Sequence, residues 1–111
     1  MLFRSSKGGL RALTRTMAIE FAADGIRANA VLPGATDTDM LEAGLSRSNI
    51  EGQDQAARKQ DLAAKVLLGR LAQPAEIARA IYFLADNQQS SYITGEALAV
   101  DGGALAKLSI E

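Results

Sequence analysis

Two short stretches of this chain hold residue types that suit chemistry. In the first, Lys7 follows Ser5-Ser6 and precedes Gly8-Gly9, placing an ammonium beside backbone that another group can approach closely. In the second, Pro33-Gly34-Ala35-Thr36-Asp37-Thr38 sets two hydroxyls and a carboxylate just past an apolar run. The chain has neither Cys nor His, which removes thiolate and imidazole metal ligands, Ser-His-Asp triads and Cys-His nucleophiles together. What remains is the chemistry of Lys, carboxylates, hydroxyls and the main chain. Asp37 and Asp39 have the charge to join Asp54 or Asp61 about a hard cation. The loop lacks the glycine and closing glutamate spacing of a calcium loop, however, and no metal is expected.

A helix and a strand over residues 5–34 must position these groups. Leu10, Leu13, Met17 and Phe21 recur at helical spacing, with Arg11, Arg15, Glu20 and Asp24 on the other side, which predicts a helix from 5 or 6 to 24. The Ser5 and Ser6 hydroxyls can cap its start, and Gly25 can take the left-handed conformation that closes its end. Ala12, Ala18, Ile19, Ala22 and Ala23 widen the apolar surface. That predicts packing on two sides, one against a sheet and the other against a helix of the same chain or of a partner subunit. Gly8 and Gly9 either meet a closely approaching group or reflect the tolerance of a first helical turn. Residues 26–32, bounded by Gly25 and Pro33 and interrupted by Arg27 and Asn29, predict a buried strand. The strand's C-terminal end then feeds the hydroxyl-bearing loop, the edge where ligands of open α/β sheets sit.

Residues 35–52 read as a lid loop with a short helix around 40–45, and the apolar spacing of Ala56, Ala57, Leu62, Ala63, Val66 and Leu67 predicts a lid helix over 53–68 stopped by Gly69. Pro74 suits a first helical position and Glu76 a first turn, opening a helix whose stripe of Ile77, Ile81, Leu84 and Ala85 runs to 87. A polar connection over 88–91 and the punctuation of Gly95 lead to a second strand at 97–100, ended by Asp101-Gly102-Gly103; residues 104–111 read as a tail. Strand, helical crossover and strand make a βαβ unit, parallel and right-handed. Two strands leave both sheet edges open, so the chain reads as the end of a larger fold: one partial α/β domain over 1–111 with its lid about 35–68.

Composition narrows the partners. Apolar residues make up 48% and charged residues 23% of 111, a globular balance. A net charge of −1, a pI near 5.4 and the lack of a basic run with interleaved aromatics argue against nucleic acid. No run reaches the roughly 18 apolar residues of a membrane span, and Met1-Leu2-Phe3-Arg4 is too short for the apolar core of a signal peptide, so a cytoplasmic protein is expected.

Taken in order, Ser5-Ser6-Lys7-Gly8-Gly9, Gly25-Ile26-Arg27-Ala28-Asn29, Pro33-Gly34-Ala35-Thr36-Asp37-Thr38 and Thr94-Gly95 through Asp101-Gly102-Gly103 resemble the C-terminal half of the short-chain dehydrogenase/reductase family over about 5–104. The wording is similar to reductases of the 3-oxoacyl-carrier-protein type and to sugar dehydrogenases. The resemblance implies a C-terminal part of a Rossmann-type, doubly wound parallel sheet in the order helix, strand, lid helices, helix, strand. It also implies NAD or NADP as cofactor, hydride transfer with a small carbonyl or alcohol substrate, and a homo-oligomer or pairing with a complete family subunit. By resemblance Lys7 is the catalytic candidate and binds the nicotinamide ribose, the family's Lys also lowering the pKa of the catalytic phenol. Pro33, Gly34 and Thr36 lie against the nicotinamide, Thr36 through its amide, and Thr38 offers a hydroxyl to the carboxamide.

In the family a Tyr four residues before the Lys carries the substrate proton; Phe3 stands there in this chain. The family's substrate-polarising Ser, its Gly-rich phosphate turn and its ribose selector fall upstream of that position. These 111 residues alone are therefore expected to be inactive, with a non-catalytic interaction module as the alternative. The resemblance further places Asp101-Gly102-Gly103 near a subunit contact, and Arg70 with Glu76 is expected either to tie down the lid helix or to form an exposed ion pair.

Overall fold

A computed structural model of the protein describes residues 2–41, 43 and 55–108. Its elements are helix α1 (Leu2–Phe21), a 3-10 turn (Ala22–Asp24), strand β1 (Ala30–Pro33), helices α2 (Gln55–Ala64), α3 (Pro74–Ala85) and α4 (Asn87–Ser90), strand β2 (Ala97–Val100) and helix α5 (Ala104–Leu108). Residues 39–41 and 43 are also helical, which places the start of the helix predicted around 40–45; its remainder lies outside the described residues. The two strands are neighbours in one sheet. Ala30 N–H donates to Glu96 O at 2.8 Å and Gly34 N–H to Val100 O at 3.0 Å; the constant offset makes the pair parallel, as the crossover requires. The chain forms two compact units, Met1–Leu32 with Ala78–Ala99, and Pro33–Ile77 with Val100–Glu111.

In the first unit α1 starts at Leu2, ahead of the predicted start, so Ser5 and Ser6 lie inside the helix instead of capping it. It ends at Phe21, short of the predicted 24, because its last predicted turn tightens into the 3-10 turn, which Gly25 closes as expected with φ 72° and its N–H donating to Ala22 O at 3.0 Å. Within the chain only part of its apolar surface is covered. Leu10, Leu13 and Met17 are 39%, 56% and 39% exposed, whereas Thr14 and Ala18, one turn apart, are buried. The reason is what α1 meets. A Cβ on Gly95 would stand 3.4 Å from the Ala18 Cβ, so α1 is approached there by backbone, which only small residues allow. The Thr14 hydroxyl stays satisfied by donating to Leu10 O at 2.7 Å.

Strand β1 is shorter than the predicted 26–32 at its start, because Arg27 and Asn29 are clamps and not ladder residues. Arg27 donates through Nε and Nη2 to Asn87 Oδ1 (3.0 and 2.8 Å) and through Nη1 to Ile93 O (3.0 Å). Asn29 donates to Ile93 O and accepts from Glu96 N–H, each at 3.0 Å. These bonds tie the approach to β1 to the approach to β2. The 88–91 connection is also ordered: Asp86 caps α4 by accepting from Gln88 N–H at 3.0 Å, and the buried Ser90 hydroxyl bonds Leu84 O at 2.9 Å.

In the second unit α2 stops at Ala64, short of the predicted 68, although its stripe continues through Val66 and Leu67. Lys65 and Val66 N–H instead make tight i→i−3 bonds to Leu62 O and Ala63 O, and Gly69 turns the chain at φ 74°. Val66 and Leu67 are thereby seated on Gly102 and Gly103. A Cβ on Gly102 would come within 2.5 Å of Val66 Cγ1, and one on Gly103 within 2.7 Å of Leu67 Cδ1. Helix α3 begins at Pro74 as predicted, with Glu76 Oε1 accepting from Gln73 N–H at 3.0 Å. Residues 104–108, read as tail, are helical because Asp101 caps them: its carboxylate accepts from Gly103 N–H at 3.0 Å and Leu105 N–H at 3.1 Å.

Candidate functional site

Four of the five predicted site residues, Pro33, Gly34, Thr36 and Thr38, share one loop of the second unit; Lys7 stands half-buried on α1 in the first. The loop is set from both ends. Gly34 N–H joins it to β2, and farther on Ala72 N–H donates to Ala35 O (3.0 Å) while Ala72 O accepts from Asp37 N–H (2.9 Å), an isolated parallel bridge at Thr36. In such a bridge the flanking residues make the bonds, so the Thr36 N–H and C=O face away from Ala72.

The two hydroxyls are used differently. Thr36 Oγ1 donates to Gly34 O at 3.0 Å, which closes the turn and spends its hydrogen inside the loop. Thr38 Oγ1 accepts from Leu41 N–H at 3.1 Å, capping the helical residues that follow and leaving its own hydrogen for another acceptor. The Thr36 amide and the Thr38 hydroxyl hydrogen are thus among the donors that the Ala72 bridge and the Leu41 cap do not use. Pro33 is exposed at the end of β1 and has no N–H to compete for the same acceptors.

Gly34 has a structural reason apart from any ligand. A Cβ there would stand 2.8 Å from both Cα and Cβ of Asp101, so a side chain has no room. Gly8 and Gly9 differ: they lie inside α1 rather than in its first turn, and no heavy atom comes within 4 Å of a Cβ built on either. Asp37, weighed in the sequence as a cation ligand, makes an ion pair with Lys59 of α2 at 2.9 Å. Nothing in a 22-residue separation signals that pair. Arg70 chelates Glu76 through two bonds of 2.7 and 2.8 Å, and its guanidinium is held above its ordinary value by the hydrogen bond and by the charge of Glu76. The pair braces the first turn of α3 rather than the lid helix. The first unit also has a groove of about 540 Å³ lined by Ile26, Arg27, Val31, Ile81, Leu84 and Asn87, which holds none of the predicted site residues. No helix among the described residues is long and apolar enough to cross a membrane.

A parallel βαβ crossover, with a donor-bearing loop at the C-terminal end of its first strand, defines a Rossmann-type segment. The chain belongs to the short-chain dehydrogenase/reductase family: residues 2–104 match the family described as Enoyl-(Acyl carrier protein) reductase. It is 44% identical over 101 residues to the cis-4-hydroxycyclohexanecarboxylate dehydrogenase of Sinomonas cyclohexanicum, covering 91% of this chain and 36% of that protein. It is 42% identical over 102 residues to the 3alpha-hydroxysteroid dehydrogenase of Mediterraneibacter gnavus, covering 92% and 36%. The crystal structure of a short chain dehydrogenase family protein from Francisella tularensis superposes with a TM-score of 0.79 at 31% identity, covering 91% of this chain and 42% of the other. The chain thus spans about two fifths of the length of these relatives, as the C-terminal part of the family fold.

Proposed function

We propose that these residues form the nicotinamide side of an NAD(P)-dependent oxidoreductase, and that the 111 residues by themselves do not turn over substrate. The observation that carries the reading is the donor pair on the 33–38 loop, a Thr36 amide that faces away from Ala72 and a Thr38 hydroxyl hydrogen that the bond from Leu41 does not use. A nicotinamide carboxamide presents a carbonyl acceptor, which suits that set. Lys7 would hold the ribose hydroxyls with its ammonium donors. The bound cofactor would supply hydride transfer to or from a carbonyl or hydroxyl carbon, and two relatives named as dehydrogenases of hydroxylated substrates support that class. This chain's own part is to orient the ring and exclude water from one of its faces. The expectation of inactivity rests on Phe3, which has no ionisable hydrogen at the position of the family's proton carrier.

Titration of the chain with NADH and NADPH, followed by nicotinamide fluorescence, tests this. Weak binding is expected, weakened further by Thr38→Val and Lys7→Ala, with no oxidation when a ketone is added. Turnover of a ketone by the chain with no other protein present would overturn the inactivity, and binding indifferent to both substitutions would overturn the site.

The exposure of Leu10, Leu13 and Met17 supports a second reading, association through α1 without catalysis, with a second copy or a complete family subunit as partner. Light scattering at micromolar concentration decides it: a dimer broken by Leu13→Glu supports the reading, and a strict monomer removes self-association.

A further inference from the structure

Asp37 stands between Thr36, whose amide faces away from Ala72, and Thr38, and it is held at two points. Its N–H is fixed to Ala72 O at 2.9 Å, and its carboxylate is fixed to the Lys59 ammonium at 2.9 Å. Lys59 belongs to α2, 22 residues farther along, so the pair joins the loop to an element distant in the sequence. The two side chains are 38% and 23% exposed, shielded enough that their attraction is less screened than that of a pair standing in open solvent. The neighbouring Arg58 is buried.

We propose that Lys59 is a positioning residue that latches α2 onto the 33–38 loop through Asp37, fixing the direction of the Thr36 amide and the Thr38 hydroxyl. The loop's main chain is held at Gly34 by Val100 and at Ala35 and Asp37 by Ala72. The side chain of Asp37 adds a restraint from α2, and it does so only while an opposite charge stands there. Removing the ammonium removes that restraint beyond the Ala72 bonds and leaves the Asp37 carboxylate without this partner between Thr36 and Thr38. The latch is a property of the second unit alone; its bearing on cofactor affinity rests on the reading of the loop as the nicotinamide side.

Hydrogen exchange on the full 111-residue chain tests it without any cofactor. Lys59→Ala and Asp37→Ala are each expected to speed exchange over residues 35–41 and across α2 by about two- to fivefold, the size appropriate to a partly exposed pair, with α1 unchanged. Lys59→Arg is expected to keep the wild-type pattern, the reversed pair Asp37→Lys with Lys59→Asp to restore most of the protection, and about 1 M salt to reproduce the Lys59→Ala pattern in the unaltered chain. Unchanged exchange at 35–41 in Lys59→Ala, faster exchange everywhere including α1, or a reversed pair no better than the single variants would each overturn the latch. An NADH titration of the same variants separates the two ideas. Exchange that behaves as expected with NADH affinity unmoved would sink the nicotinamide reading and leave the latch. Affinity that responds to Thr38→Val while exchange ignores Lys59→Ala would sink the latch alone.

Discussion

Gly34 passes so close to Asp101 that a Cβ on the glycine would lie 2.8 Å from both the Cα and the Cβ of the aspartate. The contact joins the end of β1 to the residue that follows β2, at the point where Gly34 N–H bonds Val100 O. Gly34→Ala must therefore push the two strand ends apart. Its expected cost is about 1–3 kcal/mol, the range for forcing extra atoms into a packed site, read as a fall in the urea midpoint followed by circular dichroism. A stability unchanged by the substitution would show that the strand ends part freely.

Gly8 and Gly9 are the opposite case. Both sit inside α1 with open space where a Cβ would go. Each Gly→Ala substitution is expected to stabilise the chain by about 0.5–1 kcal/mol through helix propensity and a less disordered unfolded state, measured in the same urea titration. A loss of nicotinamide-cofactor binding alongside the gain would mean that a ligand, rather than the chain, needs the bare backbone.

Asp101 carries α5 at its N-terminus by accepting from Gly103 and Leu105 N–H. Asp101→Ala is expected to cost about 1 kcal/mol, the ordinary worth of a cap, while Asp101→Asn keeps most of the stability. Amide exchange in 103–107 is the direct check: it should quicken in the alanine variant and stay slow in the asparagine variant.

The Arg70–Glu76 chelate is exposed, so its contribution is screened by salt. A guanidinium held above its ordinary value contributes fully at every pH below that value and loses the contribution only as pH rises through the still higher folded value. Arg70 therefore adds no slope to stability across the neutral range. Arg70→Gln is expected to lower the thermal midpoint at low salt, with a smaller difference in about 1 M salt. A midpoint that drops equally in both would place the effect in packing.

Much of the chain's local order was legible. Pro74 with Glu76 placed the start of α3, Gly25 the end of α1, and the apolar run with Asp101-Gly102-Gly103 the bounds of β2. These follow from single-residue backbone preferences and short-range periodicity. On α1 the sequence did not say which side would be covered within the chain: Thr14 and Ala18 are, while Leu10, Leu13 and Met17 are exposed. Periodicity reports that a helix has an apolar face, and it carries no information on which element arrives against it. Arg27 and Asn29 looked like interruptions of a strand for the same reason, since their partners at Asn87, Ile93 and Glu96 are more than 55 residues away.

The order of elements, the parallel crossover and the residues of the 33–38 loop were thus set by the sequence itself, because turn chemistry and hydrophobic period act within a few residues. Tertiary structure alone decided that Gly34 answers to Asp101, that α2 ends early so that Val66 and Leu67 can sit on Gly102 and Gly103, and that Asp37 faces Lys59. Each of those is a meeting of residues distant in the chain, fixed by close approach and opposite charge in space, which no local pattern encodes.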